Sequence, residues 1–359
     1  MLKYLRNTTA AALLTAMLPL STALSFDKPV TLAEQGSFLA GGSVKQEAGN
    51  FDFQKPANSQ GQTLHGDHAY VFYQKPAKAH KYPLVFLHGA GQSAKTWETT
   101  PDGRDGFQNI FLERGYSIYL VDQPRRGKAG NSTVPETITA TAWDQLWFSN
   151  FRLGSWPNFF PGVQVPQDKP ALEQFFRQMT PNTGAFDEQL ISDSMTAVFA
   201  KTGKGVLITH SQGGGPGWWT AIKSENVKAI VAFEPGSGFV FPEGEVPPAL
   251  ETSSPFGTLK GTPIALEAFN KLTKIPIIIY YGDNIPLEPT TEWNKDNWRV
   301  RLIMARQWAE AVNRHGGNAV VVHLPEIGIK GNTHFLFADL NNIEIADHME
   351  NWLIANKLQ

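Results

Sequence analysis

Seven short, almost entirely apolar runs recur along the chain, and they constrain its fold more than any other feature. Helical patterns, such as residues 298–314 and 343–358, separate or follow the later runs. A strand that is apolar on both faces must be covered on both, as in a parallel sheet between two layers of helices. The sequence therefore predicts an α/β fold with a mostly parallel sheet. The runs are residues 70–73, 83–87, 117–121, 206–208, 227–233, 275–281 and 319–324.

Polar residues and glycines directly follow several of these predicted strands. Ligands of such sheets bind beyond the C-terminal ends of the strands, so we expect these residues to converge on one rim. Together they offer a hydroxyl, imidazoles, carboxylates and a glycine loop, a set suited to catalysis. They are His88 to Gly91, Asp122-Gln123, His210-Ser211, Glu234 to Gly236, Gly282-Asp283 and Gly331 to His334.

Ser211 is the predicted nucleophile. It lies between the apolar run 206–208 and the glycines 213–215, which open a helical segment. A sharp strand-to-helix turn exposes a serine hydroxyl and directs the helix N-terminus at it. The match to G-x-S-x-G is partial, because Thr209 occupies the position of the first glycine. A plain Ser-Gly turn is the alternative interpretation.

A serine hydroxyl needs an imidazole to accept its proton, and the imidazole needs an acid to fix its tautomer. His334 is the predicted base, because its Gly-Asn-Thr-His loop follows the last strand and precedes the C-terminal helix. His88 and His210, at strand ends beside glycines, are expected to be structural.

Two carboxylates compete for the role of the acid. Asp283 follows the strand that most often supplies it, but the usual spacing after Gly282 falls on Ile285. Glu234 directly follows the run 227–233, and its extra methylene can reach the same imidazole. The spacing favours Glu234 and leaves Asp283 open.

The oxyanion of the reaction needs preorganised N–H donors, one after the nucleophile and one after an early strand. These are predicted to be the amides of Gln212 and Ala90. Gly89 and Gly91 allow the loop to turn inward.

Two segments interrupt the rhythm of strands and helices. Residues 130–185 are dense in tryptophan, phenylalanine and proline and predict an inserted cap, whose aromatic side chains form a satellite core, line an apolar pocket, or do both. Residues 240–273, rich in proline, glycine and glutamate, are expected to form an irregular surface excursion.

The N-terminal residues 1–25 combine Lys3 and Arg6, an apolar stretch and small residues, which predicts a secretory signal peptide before a mature domain at 26–359. We expect no membrane insertion after cleavage, and a secreted or periplasmic protein. The 359 residues carry a formal charge of −2, and this near-neutral balance argues against nucleic-acid binding. They include no cysteine. We expect no metal and no cofactor.

Four separated segments resemble one family. Residues 97–104, the Thr-His-Ser-Gln turn, Phe233 to Gly236 and Gly331 to His334 are similar to the α/β-hydrolase superfamily, and within it to the bacterial exported esterase 713-like group. The resemblance implies a Ser211, Glu234 and His334 triad. The type member of that group has two adjacent cysteines in the oxyanion loop, where this chain has Ala90-Gly91, so the hole is expected to lack a disulfide.

The resemblance implies a secreted serine carboxylesterase that hydrolyses small, hydrophobic esters through an acyl-enzyme. The alternatives are a lactonase, an amidase or a polyesterase with the same site, and a non-catalytic ligand-binding member of the fold. The oligomeric state stays open.

Overall fold

One eight-stranded sheet organises the described part of the chain, residues 29–359 of a computed structural model. The strands lie in the order β1-β2-β4-β3-β5-β6-β7-β8, and only the pairs β1–β2 and β2–β4 are antiparallel. The predicted signal peptide, residues 1–25, lies outside the described residues. The strands are β1 (Leu32–Gln46), β2 (Thr63–Pro76), β3 (Leu84–Leu87), β4 (Ile118–Asp122), β5 (Gly205–His210), β6 (Val227–Phe233), β7 (Pro276–Tyr281) and β8 (Asn318–His323).

Helices cover both faces of the sheet. Alternate residues along each strand enter opposite cores: Val85 and Leu87 pack with α4, α5 and α7, whereas Leu84 and Phe86 pack with α1 and α8. Within residues 29–359, none of the helices has the length and apolar character needed to cross a bilayer. The helices are α1 (Phe107–Glu113), α2 (Asp144–Asn150), α3 (Lys169–Arg177), α4 (Glu188–Thr202), α5 (Gly214–Lys223), α6 (Leu266–Leu272), α7 (Trp293–Arg314) and α8 (Asn342–Ala355).

The predicted α/β class and all seven predicted strands are confirmed, but the sequence analysis missed β1 and the first half of β2. These two strands pair over their whole length, from Leu32 opposite Pro76 to Gln46 opposite Thr63. Most residues of β1 are exposed, so the strand has no continuous apolar run. Its pairing depends on backbone hydrogen bonds to β2, which a hydrophobicity pattern does not reveal.

The two segments predicted to be insertions, 130–185 and 240–273, both contain regular structure. Residues 130–185 contain α2, α3 and a short hairpin of Gly154–Ser155 with Asn158–Phe159. The irregular surface excursion predicted for 240–273 is wrong, because Val240–Pro242 pairs in parallel with Thr262–Ile264 and α6 follows. Phe241 and Phe269 of this segment are buried in the core. These aromatic residues hold the segment against the core, although prolines and glycines separate them in the sequence.

Candidate active site

The C-terminal ends of four neighbouring parallel strands meet at one rim. Ser211 follows β5, Glu234 follows β6, Asp283 lies two residues after β7, and His334 lies in the loop between β8 and α8. The order β5-β6-β7-β8 in the sheet matches their order in the chain, so each loop arrives beside the preceding one.

Ser211 occupies a sharp turn between β5 and α5. Its φ is 55°, a left-handed conformation that is unfavourable for a residue with a Cβ atom. One 3₁₀ turn, Ser211–Gly213, leads directly into α5. A Cβ atom on Gly89 would lie 2.7 Å from the Cβ atom of Ser211. The loop that carries the predicted oxyanion residue Ala90 therefore approaches the serine closely only because residue 89 is glycine.

Glu234 and His334 form a fully buried pair. His334 Nδ1 lies 2.5 Å from Glu234 Oε2. Burial alone would raise the pKa of Glu234, but the Arg152 charge and the bond to His334 hold it below its usual range. Burial lowers the pKa of His334 to about 4, against the opposing influence of Glu234. The carboxylate is therefore charged and the imidazole neutral near pH 7.

The other imidazole nitrogen is free to accept a proton. His334 Nε2 is buried and has no hydrogen-bond partner among residues 29–359. It is not hydrogen-bonded to Ser211, although the ring of His210, next to Ser211 in the chain, lies 4.4 Å from the His334 ring between centroids. Such catalytic bonds are often long in the free enzyme and shorten with substrate. Phe151 stacks on the His334 ring at 5.2 Å and fixes its plane.

Arg152 is a site residue that the sequence analysis missed. It follows α2 in the predicted cap, is fully buried, and donates from both terminal nitrogens to the two oxygens of Glu234. Its Nε donates to the carbonyl of Asp283 at 2.8 Å. The only local signal is its neighbourhood of aromatic residues, which gives no hint of a partner 82 residues away.

Asp283 does not contact His334. Its Oδ2 accepts a hydrogen bond from Gly331 N at 2.7 Å, and its Oδ1 accepts one from Asn284 N at 2.6 Å. The bond from Gly331 ties the end of β7 to the loop that carries His334. The geometry thus assigns Asp283 to the turn and brings Glu234 to the imidazole.

A cleft of about 390 Å³ opens beside the predicted oxyanion residues. Ala90 and Gln212 both line it, together with Trp143, Trp147 and Met179. Other aromatic residues of the same insertion, including Phe148, are buried in the core. The aromatic residues of segment 130–185 therefore both pack in a core and line a pocket, the two roles that the composition left open.

Arg126 holds the loop of the predicted oxyanion hole. Its Nη1 donates to the carbonyls of Gly89, at 3.2 Å, and Gln92, at 2.8 Å. Thr180 N donates to the Gly91 carbonyl at 2.8 Å from the other side. These bonds restrain a loop that has no disulfide, and the sequence analysis did not single out Arg126.

His88 and His210 lie beneath the rim. His88 Nε2 accepts from Gln123 N at 3.3 Å, and His210 Nε2 lies 3.0 Å from the carbonyl of His334. Both are buried, as expected of structural histidines. Within the described residues, no group of three or more His, Asp or Glu side chains is arranged to hold a metal ion.

Two known proteins are similar to the chain over most of its length. A probable secreted lipase, phiG, of a fungus (Fungal sp. strain ATCC 74256) is 28% identical over 315 residues, which cover 76% of the chain and 81% of the lipase. The structure of a novel bacterial esterase matches 92% of the chain and 98% of that esterase at 29% identity, with a TM-score of 0.73. The chain has the α/β-hydrolase fold. Its strand order and the positions of Ser211 and His334 after β5 and β8 fit this fold. No model of a protein family matches the chain.

Proposed function

We propose that the chain is a serine carboxylesterase in which Ser211 is the nucleophile, His334 the general base and Glu234 the acid that orients it. The observation that carries the proposal is the buried Glu234–His334 pair, whose second imidazole nitrogen has no partner among the described residues and whose ring lies 4.4 Å, between centroids, from that of His210, the residue before Ser211. Hydrolysis of carboxylic esters is the reaction class, supported by the similarity to an esterase and a lipase.

The chemistry follows from the protonation states. Neutral His334 accepts the proton of Ser211 through Nε2 as the hydroxyl oxygen bonds to the ester carbonyl carbon. The resulting oxyanion accepts hydrogen bonds from the amides of Ala90 and Gln212. His334 then returns the proton to the departing alcohol. Water attacks the acyl-enzyme by the same route, which releases the acid and restores Ser211.

Glu234 stabilises the imidazolium that forms in each step. Its charge is compensated by Arg152 in the resting enzyme, so the site does not bury an isolated anion. When His334 gains its proton, a second cation lies 2.5 Å from the same carboxylate. The pair thus favours proton transfer to His334.

The cleft supports small esters with a hydrophobic part as substrates. Trp143, Trp147 and Met179 give it an apolar portion, and Arg126, Asp144 and Asn182 give it a polar one. A lactone, an amide or a polymer chain is the alternative substrate for the same nucleophile. Rates on a panel of acyl chain lengths, lactones and anilides distinguish these classes.

Export of the protein is part of the proposal. The fungal relative is a probable secreted lipase. Residues 1–25 of this chain have the pattern of a signal peptide. We infer that the mature enzyme begins near residue 26 and acts in the periplasm or outside the cell.

The test is Ser211→Ala with a p-nitrophenyl ester and a fluorophosphonate probe. We expect kcat/KM to fall by at least about 10³-fold and labelling to disappear, because alanine lacks the hydroxyl that attacks the ester and the probe. Ser43→Ala, an exposed change in β1, is the matched control and is expected to keep both signals. Undiminished turnover by folded Ser211→Ala would refute the assignment.

A further inference from the structure

A guanidinium without an ion-pair partner lies beside the nucleophile. Arg301, in α7, donates from Nη1 to the carbonyl and to the side-chain oxygen of Asn297, both at 2.6 Å. Its guanidinium lies over the ring of Trp298, 5.4 Å from the centroid. Among residues 29–359 no carboxylate pairs with it. The side chain is oriented, but only one of its three nitrogens donates to the protein.

Gly236 opens a space between this guanidinium and the nucleophile. A Cβ atom built on Gly236 would lie 3.6 Å from Ser211 Oγ and 3.9 Å from Arg301 Nε. Both separations are ordinary contact distances, so a small group placed against Gly236 touches the hydroxyl and the cation together. A substrate atom in this space is within a few bonds of the carbonyl that Ser211 attacks.

The other two arginines of the site donate from every nitrogen. Arg152 uses all three nitrogens on Glu234 and the Asp283 carbonyl. Arg126 uses all three on Asn182, Gly89 and Gln92. Arg301 alone among these three has nitrogens, Nε and Nη2, that donate to no described residue.

A partly buried cation without a counter-ion is unfavourable unless something compensates it. Burial lowers the pKa of Arg301 to about 10, which leaves the side chain charged at neutral pH. A carboxylate on the substrate would supply the counter-ion by accepting charge-assisted hydrogen bonds from Nε and Nη2, in the fork geometry with which guanidinium groups bind carboxylates best.

We propose that Arg301 forms a carboxylate-binding subsite beside Ser211, so that the enzyme prefers esters that carry a free carboxylate a few bonds from the scissile carbonyl. The inference rests on the proposed esterase function and names its substrate class. The carboxylate belongs either to the acyl half of the ester or to the alcohol half, and two matched pairs of substrates distinguish these sources.

The experiment compares kcat/KM for each pair by titration of the acid released. Monomethyl glutarate and methyl pentanoate differ only in the carboxylate on the acyl side. 4-Carboxyphenyl acetate and 4-methylphenyl acetate differ only in the carboxylate on the alcohol side. We expect the wild-type enzyme to favour the anionic member of one pair by about tenfold or more, and this ratio to decrease as salt is added.

Arg301→Gln is expected to abolish that preference, and Arg301→Lys to keep part of it because the charge remains. Arg306→Gln is the matched control, since Arg306 lies on the same helix but pairs with Glu326 at the surface. It removes the same charge from the protein and is expected to leave the ratio unchanged.

Three results would overturn the subsite. In the first, the wild-type enzyme favours neither anionic ester. In the second, Arg301→Gln lowers kcat/KM equally for both members of a pair. In the third, Arg306→Gln abolishes the preference as well. Because the first result needs only the wild-type enzyme, it holds even if a variant fails to fold. Absence of hydrolysis of all four esters would instead contradict the proposed function.

Discussion

Each oxygen of Glu234 accepts two hydrogen bonds. Oε1 accepts from Gly282 N at 2.7 Å and from Arg152, and Oε2 accepts from Arg152 at 3.0 Å and from His334. Four donors surround a group that must be an acceptor throughout, so only an ionised carboxylate satisfies all of them. The segment 130–185 thereby contributes, through Arg152, to the charge state of a residue at the end of a central strand.

Glu234→Gln and Asp283→Asn separate the two carboxylates at the rim. Glutamine places an NH₂ group against other donors and removes the charge that stabilises the imidazolium, so kcat/KM is expected to fall by roughly 10³-fold or more. Asparagine at 283 keeps an oxygen for the Gly331 bond, and a loss below about tenfold is expected. The rates of both variants are measured on one ester, with circular dichroism to verify folding. A crippling effect of Asp283→Asn alone would place the acid at 283.

At the scale of elements, the contact between β5 and α5 explains why the serine turn tolerates Thr209. The first glycine of G-x-S-x-G lets the strand and the helix pack closely. Here the glycine is on the helix instead: a Cβ atom on Gly217 would lie 2.7 Å from Cγ2 of Thr209. The missing methyl of Gly217 makes room for the threonine. The sharp turn at Ser211 therefore forms although the G-x-S-x-G motif is only partly matched.

Gly217→Ala is expected to destabilise the fold, and Thr209→Ala is expected to rescue it. The added methyl group meets a buried side chain, at a cost of roughly 1–3 kcal/mol, which is offset in part by about 1 kcal/mol of helix propensity. Thr209→Ala removes Cγ2 together with a buried hydroxyl that has no partner among the described residues. Urea denaturation of the two single variants and the double variant gives the coupling. Additive effects would mean that the two residues do not interact.

At the scale of the whole molecule, three histidines at the rim of the sheet are buried in neutral form. Burial lowers the pKa of His88 to about 3, that of His210 well below its usual value, and that of His334 to about 4. Asp339, which accepts hydrogen bonds from the backbone and side chain of Thr333, has the opposite shift, because burial raises its pKa to about 7. Lowering the pH therefore destabilises the folded protein through the buried histidines and stabilises it through Asp339.

Stability is expected to fall between pH 7.5 and pH 5.5. The unfolded histidines bind protons below about pH 6.5 and the folded ones do not, so each contributes a loss of roughly 1 kcal/mol at pH 5.5. Asp339 binds a proton in the folded state as the pH falls through about 7, which offsets part of that loss. The net decrease in the free energy of unfolding is expected to be roughly 2 kcal/mol, measured by urea denaturation at both pH values.

A variant that lacks one buried histidine tests the cause of this pH dependence. His88→Asn is expected to reduce the decrease between the two pH values, whereas His65→Gln, a change at an exposed residue of β2, is expected to preserve it. Equal stability of the wild-type protein at pH 7.5 and 5.5 would contradict the burial of neutral histidines.

Local sequence patterns were sufficient to predict the central strands of this protein and the rim where they end. Apolar runs identify the strands because each must bury both faces, and the ends of parallel strands share an edge whatever the loops between them do. This is why Ser211, Glu234, Asp283 and His334 could all be assigned to one rim from the sequence. Exposed β1 has no such run, and the segment 240–273 hid its core residues among prolines and glycines.

Only the tertiary structure decided which of these side chains meet. The contact of Glu234 with His334, the role of Arg152 and the unpaired state of Arg301 join segments that are far apart in the chain. Such contacts depend on loop lengths, strand order and the packing of α7 and the cap against the rim, none of which leaves a periodic signal. The sequence by itself determined which residues gather at one rim of the sheet, because they follow its strands, and packing determined which charges are paired there.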